Sequence, residues 1–98
     1  MTKETDFEID ENGIITGYTG SGGRVIIPAE IRGISVLTIG EGAFCESEVR
    51  GMEFPASLRE IDDMAFAWNK LTEIEIPSGV EKIGKQTFAW NNIARRSV

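Results

Sequence analysis

The sequence predicts an α/β repeat solenoid. About three 22-residue coils stack around a short parallel β-sheet, under an N-terminal β-hairpin cap. Three observations carry this. Phe44, Phe66 and Phe88 recur at one fixed interval, as do Ile39, Ile61 and Ile83. Pro55 and Pro77, Trp68 and Trp90, and Asn69 and Asn91 keep the same phase. Each period holds one stretch of apolar alternation, too little to close a core by itself, so the copies must bury their apolar sides on one another.

The elements follow in order. Phe7-Glu8-Ile9 and Ile14 to Tyr18 flank Asp10-Glu11-Asn12-Gly13. Asn-Gly between alternating segments signals a hairpin. Residues 1–23 are read as its cap, because the end of a stack needs covering. Residues 24–48 form the first repeat, where Val25-Ile26-Ile27-Pro28 matches Ile74-Glu75-Ile76-Pro77. The stretch from Pro28 to Ile39 is longer than that from Pro55 to Ile61, so this repeat carries a five-residue insertion around residues 31–35. Residues 49–70 and 71–92 are the second and third repeats, sharing Glu53/Glu75, Pro55/Pro77, Ile61/Ile83 and the run Phe-Ala-Trp-Asn at 66–69 and 88–91. Residues 93–98 begin a truncated copy, and the whole chain, 1–98, is one domain.

Within the third repeat, Ile74 and Ile76 alternate with Glu75, the period of a strand. Pro77 ends the ladder because it has no N–H to donate. Val80 to Ile83 is a second extended piece with Val80 and Ile83 inward. Gly84 turns the chain, and Lys85 to Trp90 is expected to make about one helical turn. The phase predicts a core of Val25, Ile27, Ile39, Phe44, Met52, Phe54, Leu58, Ile61, Phe66, Ile74, Ile76, Val80, Ile83 and Phe88. It also places Ile26, Glu53, Glu75 and Ser97 in one cross-strand row, and Arg24, Gly51, Glu73 and Arg95 in the next.

Composition narrows the function. The net charge is −6. Residues 1–12 carry five acids against Lys3, whereas residues 49–98 carry seven of each sign. Nucleic-acid binding needs a basic stripe, and none is present, so no nucleic-acid partner is expected. No apolar run approaches the ~20 residues of a membrane helix, so no membrane insertion is expected. Histidine is absent and Cys45 is the only cysteine. The commonest general base and metal ligand are therefore missing. We expect no enzyme, no catalytic residue, no cofactor and no metal.

Several motifs have plain structural readings. Glu8 to Gly13 echoes a calcium loop, but a hairpin turn explains it better. Gly17, Gly20, Gly22 and Gly23 lack the lysine and helix of a phosphate loop and read as turns. Asp62-Asp63 sits before the predicted helical piece, where acids are favoured. Cys45 aligns with Ala67 and Ala89 and reads as a small buried residue. Asn69 and Asn91 are expected to bond local backbone. Trp68 and Trp90 should stack, sealing one edge or offering an aromatic platform to a partner.

The run Ile76-Pro77-x-x-Val80-x-x-Ile83-Gly84-x-x-x-Phe88 resembles the BspA-like leucine-rich repeat family. So do the segment Ile15 to Gly23 and the Val25-Ile26-Ile27-Pro28 that follows. The resemblance spans about residues 7–93. It implies a leucine-rich solenoid with a stacked parallel sheet, found mostly in bacterial surface proteins with proposed roles in adhesion. It implies no catalytic residues.

The expected function is therefore a non-catalytic protein-binding or adhesion module. The alternative is a structural spacer within a larger bacterial surface protein. The candidate binding surface comprises Glu53, Glu73, Glu75 and Arg95 on the outer strand face, with Trp68 and Trp90. The expected partner is a host or matrix protein. A weak homodimer through the C-terminal end is also expected, because Arg96 stands where an inward isoleucine would, and nothing covers Ile83, Phe88 and Trp90. If the chain is part of a longer one, the resemblance implies a surface or secreted setting. A complete chain without an export signal would be cytoplasmic.

Overall fold

The second extended piece of each repeat turns the repeat phase into a stack. The computed structural model describes residues 3–93 and, in the backbone alone, residues 95–97. Its elements are a 3-10 turn, Glu4–Asp6, then β1 Phe7–Ile9, β2 Ile14–Tyr18, β3 Gly23–Ile26, β4 Glu30–Ile31, β5 Ile34–Ser35 and β6 Thr38–Ile39. There follow β7 Val49–Glu53, β8 Glu60–Ile61, β9 Glu73–Glu75, β10 Lys82–Ile83 and β11 Arg95–Ser97.

β6, β8 and β10 run parallel, with Thr38, Glu60 and Lys82 in one row and Ile39, Ile61 and Ile83 in the next. The hairpin joins the same sheet: β1 pairs antiparallel with β2, and β2 runs parallel to β6 through Ile14–Thr38 and Ile15–Ile39. The sheet order β1-β2-β6-β8-β10 is mixed. The hairpin turn is built by Asp10, whose carboxylate accepts the N–H groups of Asn12 and Ile14. Gly13 supplies the left-handed residue at φ 81°.

The first extended pieces behave differently from the single parallel sheet expected of them. β3 pairs with β7, placing Ile26 beside Glu53 and Arg24 beside Gly51. β9 pairs with β11, placing Ser97 beside Glu75 and Arg95 beside Glu73. No ladder joins β7 to β9 among the described residues. Register explains the break. Closing it would set Glu53 directly opposite Glu75, and like charges directly across two strands destabilise the pair.

The expected helical turns are also replaced, and no α-helix occurs among the described residues. At each of these places successive N–H groups split between two destinations. Ala43, Cys45, Ala65, Ala67 and Ala89 bond back within their own turn. Gly42, Phe44 and Glu46 instead donate to the carbonyls of Asp63, Ala65 and Ala67 in the next repeat. Met64, Phe66 and Trp68 donate likewise to Lys85, Thr87 and Ala89. A helix would need all of these N–H groups for itself. Sharing them requires left-handed residues in phase: Gly42, Met64 and Gln86, then Glu46, Trp68 and Trp90, with φ between 53° and 64°. Each non-glycine residue there costs about 1–2 kcal/mol.

The core is a column of rings. Tyr18 stacks on Phe44 and Phe44 on Phe66, both with centroids 4.9 Å apart, and Phe66 on Phe88 at 5.7 Å. Those spacings are near the inter-strand spacing of a sheet, so the rings climb in step with the backbone. Val25, Ile27, Ile39, Phe44, Met52, Leu58, Ile61, Phe66, Ile74 and Ile76 are buried as predicted. Phe54, Val80 and Phe88 are half-buried, and Ile83 is 45% exposed, against expectation. Ile83 lies on β10, the edge strand, so its own layer has a described neighbour on one side only. The same edge leaves Val80 and Phe88 partly uncovered. Phe54 sits at the gap between β7 and β9, with its edge against the face of Phe66.

The insertion in the first repeat is a small hairpin, β4 with β5, turned by Arg32 and Gly33 at φ 49° and 82°. Positive φ at both central residues is the mark of a type I′ turn. Its Arg32 clasps the N-terminus. The guanidinium donates to the carbonyls of Glu4 and Phe7, and the Arg32 N–H donates to the Glu4 carboxylate.

Candidate binding surface

On the outer strand face, alternation sends Met52 and Ile74 into the core and leaves Glu53, Glu73 and Glu75 exposed. Because β7 and β9 do not zip together, a groove of about 890 Å³ opens between them. Glu53, Glu73 and Glu75 line it, with apolar floor from Phe54, Ile76 and Pro77. Arg24 lines it too and forms an ion pair with Glu53, both side chains being more than half exposed. Glu73 and Glu75 form no ion pair among the described residues. Arg95 stands opposite Glu73 in the backbone, but its side chain, and that of Arg96, lies outside the described residues.

Trp68 and Trp90 form a separate feature. Their indoles lie 4.5 Å apart at an interplanar angle of 1°. Each is about half exposed, at 48% and 49%. Their backbones are held at φ 61° and 57°, and Trp68 donates its N–H to Ala89. Beneath them run the asparagines. The Asn69 side-chain N–H groups donate to the carbonyls of Phe44, Phe66 and Ala67, while its oxygen accepts from Ser47 and Val49. Asn91 repeats this set, donating to Phe66, Phe88 and Ala89 and accepting from Leu71. As the sequence suggested, both asparagines serve backbone.

The structure thus brings the three glutamates to one groove and the two tryptophans into one stack. The indoles are not part of the groove wall. The sequence reading overlooked the apolar floor of Phe54, Ile76 and Pro77, because it placed a closed sheet there. The signal was present as Glu53 and Glu75 in the same phase.

The remaining groups have local work. The Asp63 carboxylate accepts the Lys85 N–H at 2.8 Å, fixing the turn of the next repeat. Gly22, at φ 85°, passes so close to Ser47 that a Cβ would stand 2.5 Å from its carbonyl oxygen. Cys45 is half-buried and not fully buried as expected. Burial, and then the charge of Glu46, push its thiol above the usual range, so it is a poor nucleophile. Glu48 is held below the usual carboxylate range by the hydrogen bond and charge of Lys70, 2.8 Å away.

A sequence model of the BspA type leucine rich repeat region, six copies long, matches residues 25–97. The chain belongs to the BspA-type leucine-rich repeat family. The match takes in the in-phase segments and β11 and leaves the N-terminal hairpin outside it. No curated protein and no solved structure matches. The BspA-type repeat accounts for the in-phase core, and it is a repeat module.

Proposed function

We propose that this chain is a non-catalytic protein-binding module, a leucine-rich solenoid of three coils presenting a rigid repeat surface to a protein partner. On this reading residues 1–23 are the cap, 24–48, 49–70 and 71–92 are the coils, 93–98 opens a truncated repeat, and the whole is one domain. The observation that carries the proposal is the half-exposed indole pair. Tryptophan is among the residues that most often dominate interface energy. A pair already fixed by stacking and by its backbone loses little freedom on binding, so more of its contact energy appears as affinity. The glutamate groove supplies charge on the same rigid scaffold. Adhesion to a host or matrix protein is the role that fits the family and this surface.

The alternative is a structural spacer of a larger bacterial surface protein, in which the indoles only seal the stack. A spacer has no use for aromatic and acidic groups gathered into patches, and their gathering here favours the binder. A weak homodimer through the C-terminal end would use exposed Ile83 and Trp90. Light scattering over a concentration series reads it.

The test is capture of host and matrix proteins on the immobilised chain, compared with Trp68→Ala/Trp90→Ala and Glu53→Lys/Glu75→Lys. A binder loses its captured protein in at least one variant while the melting temperature holds. A spacer captures nothing that the variants fail to capture equally.

A further inference from the structure

The turn ladder has a direction. Gly42, Phe44 and Glu46 donate to the second repeat, and Met64, Phe66 and Trp68 donate to the third. Among the described residues no bond of this turn ladder runs the other way. Its leading edge therefore consists of donors alone: the N–H groups of Gln86, Phe88 and Trp90, which have no hydrogen-bond partner among the described residues. Beside them Ile83 is 45% and Trp90 49% exposed, and the ring of Phe88 is only half-buried. The strand side of this layer is already covered, because β11 runs along β9. The uncovered part is the turn side.

We propose that this edge is a docking surface for a polypeptide segment of the same repeat class supplied by another protein. The segment would offer three backbone carbonyls on alternate residues, with a ring to lie on Phe88 and a flat side chain to lie on Trp90. The occupant is defined by continuity with the two interfaces that already exist. Each of these joins three N–H groups to three carbonyls of the following repeat and stacks phenylalanine on phenylalanine. A second copy is the poorer match. Meeting about a two-fold axis, it would set donors against donors. Meeting head to tail, it would present a first repeat whose Phe44 is already covered by Tyr18 and Phe7. The proposal rests on reading the chain as a protein-binding module, and names one partner class for it.

The test uses the full chain and, as probe, a synthetic polypeptide of residues 49–92. In that fragment the carbonyls of Asp63, Ala65 and Ala67, which accept bonds in the intact chain, are released. Amide exchange is followed by NMR. In the free protein the amides of Gln86, Phe88 and Trp90 should exchange at least tenfold faster than those of Met64, Phe66 and Trp68. Saturating probe should slow the first three by tenfold or more, and Ile83→Asp, at an exposed position, should abolish the effect. Slow exchange of the three amides in the free protein would overturn the proposal. So would equal slowing by a scrambled probe or no slowing at millimolar probe. Slowing that tracks the protein's own concentration would assign the edge to a second copy and also overturn it. Failure here leaves the capture experiment on the indoles and glutamates unaffected, so the two readings fall separately.

Discussion

Phe66 occupies the middle of the ring column, with Phe44 on one face, Phe88 on the other and Phe54 at its edge. Truncating it leaves a void that no neighbour can fill without breaking the stack. Phe66→Ala should cost about 3–5 kcal/mol, as buried phenylalanine truncations do. A circular dichroism melt unchanged by that substitution would contradict the register. Two further residues have consequences of their own. Gln86 is exposed and left-handed at φ 53°, where Gly42 stands in the first repeat. Gln86→Gly should therefore remove a backbone cost of about 1 kcal/mol and raise the melting temperature; a fall would show that the side chain matters more than the backbone. Cys45 keeps its proton to higher pH than a free thiol, so alkylation at mildly alkaline pH should be slower in the folded chain than in urea. Equal rates in both would remove the case for burial of the sulfur.

At the scale of elements, the gap between β7 and β9 is electrostatic in origin. Glu75→Lys alone would set a cation opposite Glu53, and such opposite-charge pairs contribute about 0.2–1 kcal/mol. The single variant should raise the melting temperature and narrow the groove, seen as slower exchange of the Gly51 and Glu73 amides. If neither moves, like charge is not what holds the strands apart. The β4–β5 hairpin has a different role. Through Arg32 it fastens the segment from Glu4 to Phe7. Arg32→Ala should expose that segment to limited proteolysis with little change elsewhere. An unchanged cleavage pattern would show that β1 pairing alone holds it. The strands and rings were legible in the sequence because period and phase fix which residues point inward. The turn ladder was not. Residues 85–90 carry a helix-like composition, and only the competition of the adjacent repeat for alternate N–H groups draws them away from a helix. The groove was illegible for a similar reason: charge opposition acts between strands of neighbouring repeats, which a reading within one strand does not see. Of the candidate surface, the sequence located each glutamate and the indole stack, but not their separation into two features.

For the molecule as a whole, stability should grade along the stack. The second repeat has neighbours on both sides, whereas the third has its edge strand and Ile83 uncovered. In repeat arrays stability is close to a sum over units and their interfaces. Amides in residues 71–92 should therefore exchange faster than their equivalents in 49–70, and the difference should vanish only where unfolding is global. Uniform protection across both repeats would mean that the rings make the stack a single cooperative unit. The one-way ladder has one more effect. Its peptide groups point along the stack, so their dipoles add, as they do in a helix. The positive pole is the edge of Gln86, Phe88 and Trp90, and the negative pole faces the hairpin. Residues 1–12, with five acids and one lysine, put formal charge of the same sign at that negative pole, while residues 49–98 balance seven against seven. Backbone and side chains thus reinforce each other in a permanent moment along the axis. In the field of an anionic surface such a body turns before it touches, and the end that arrives first is the one with the unpaired donors.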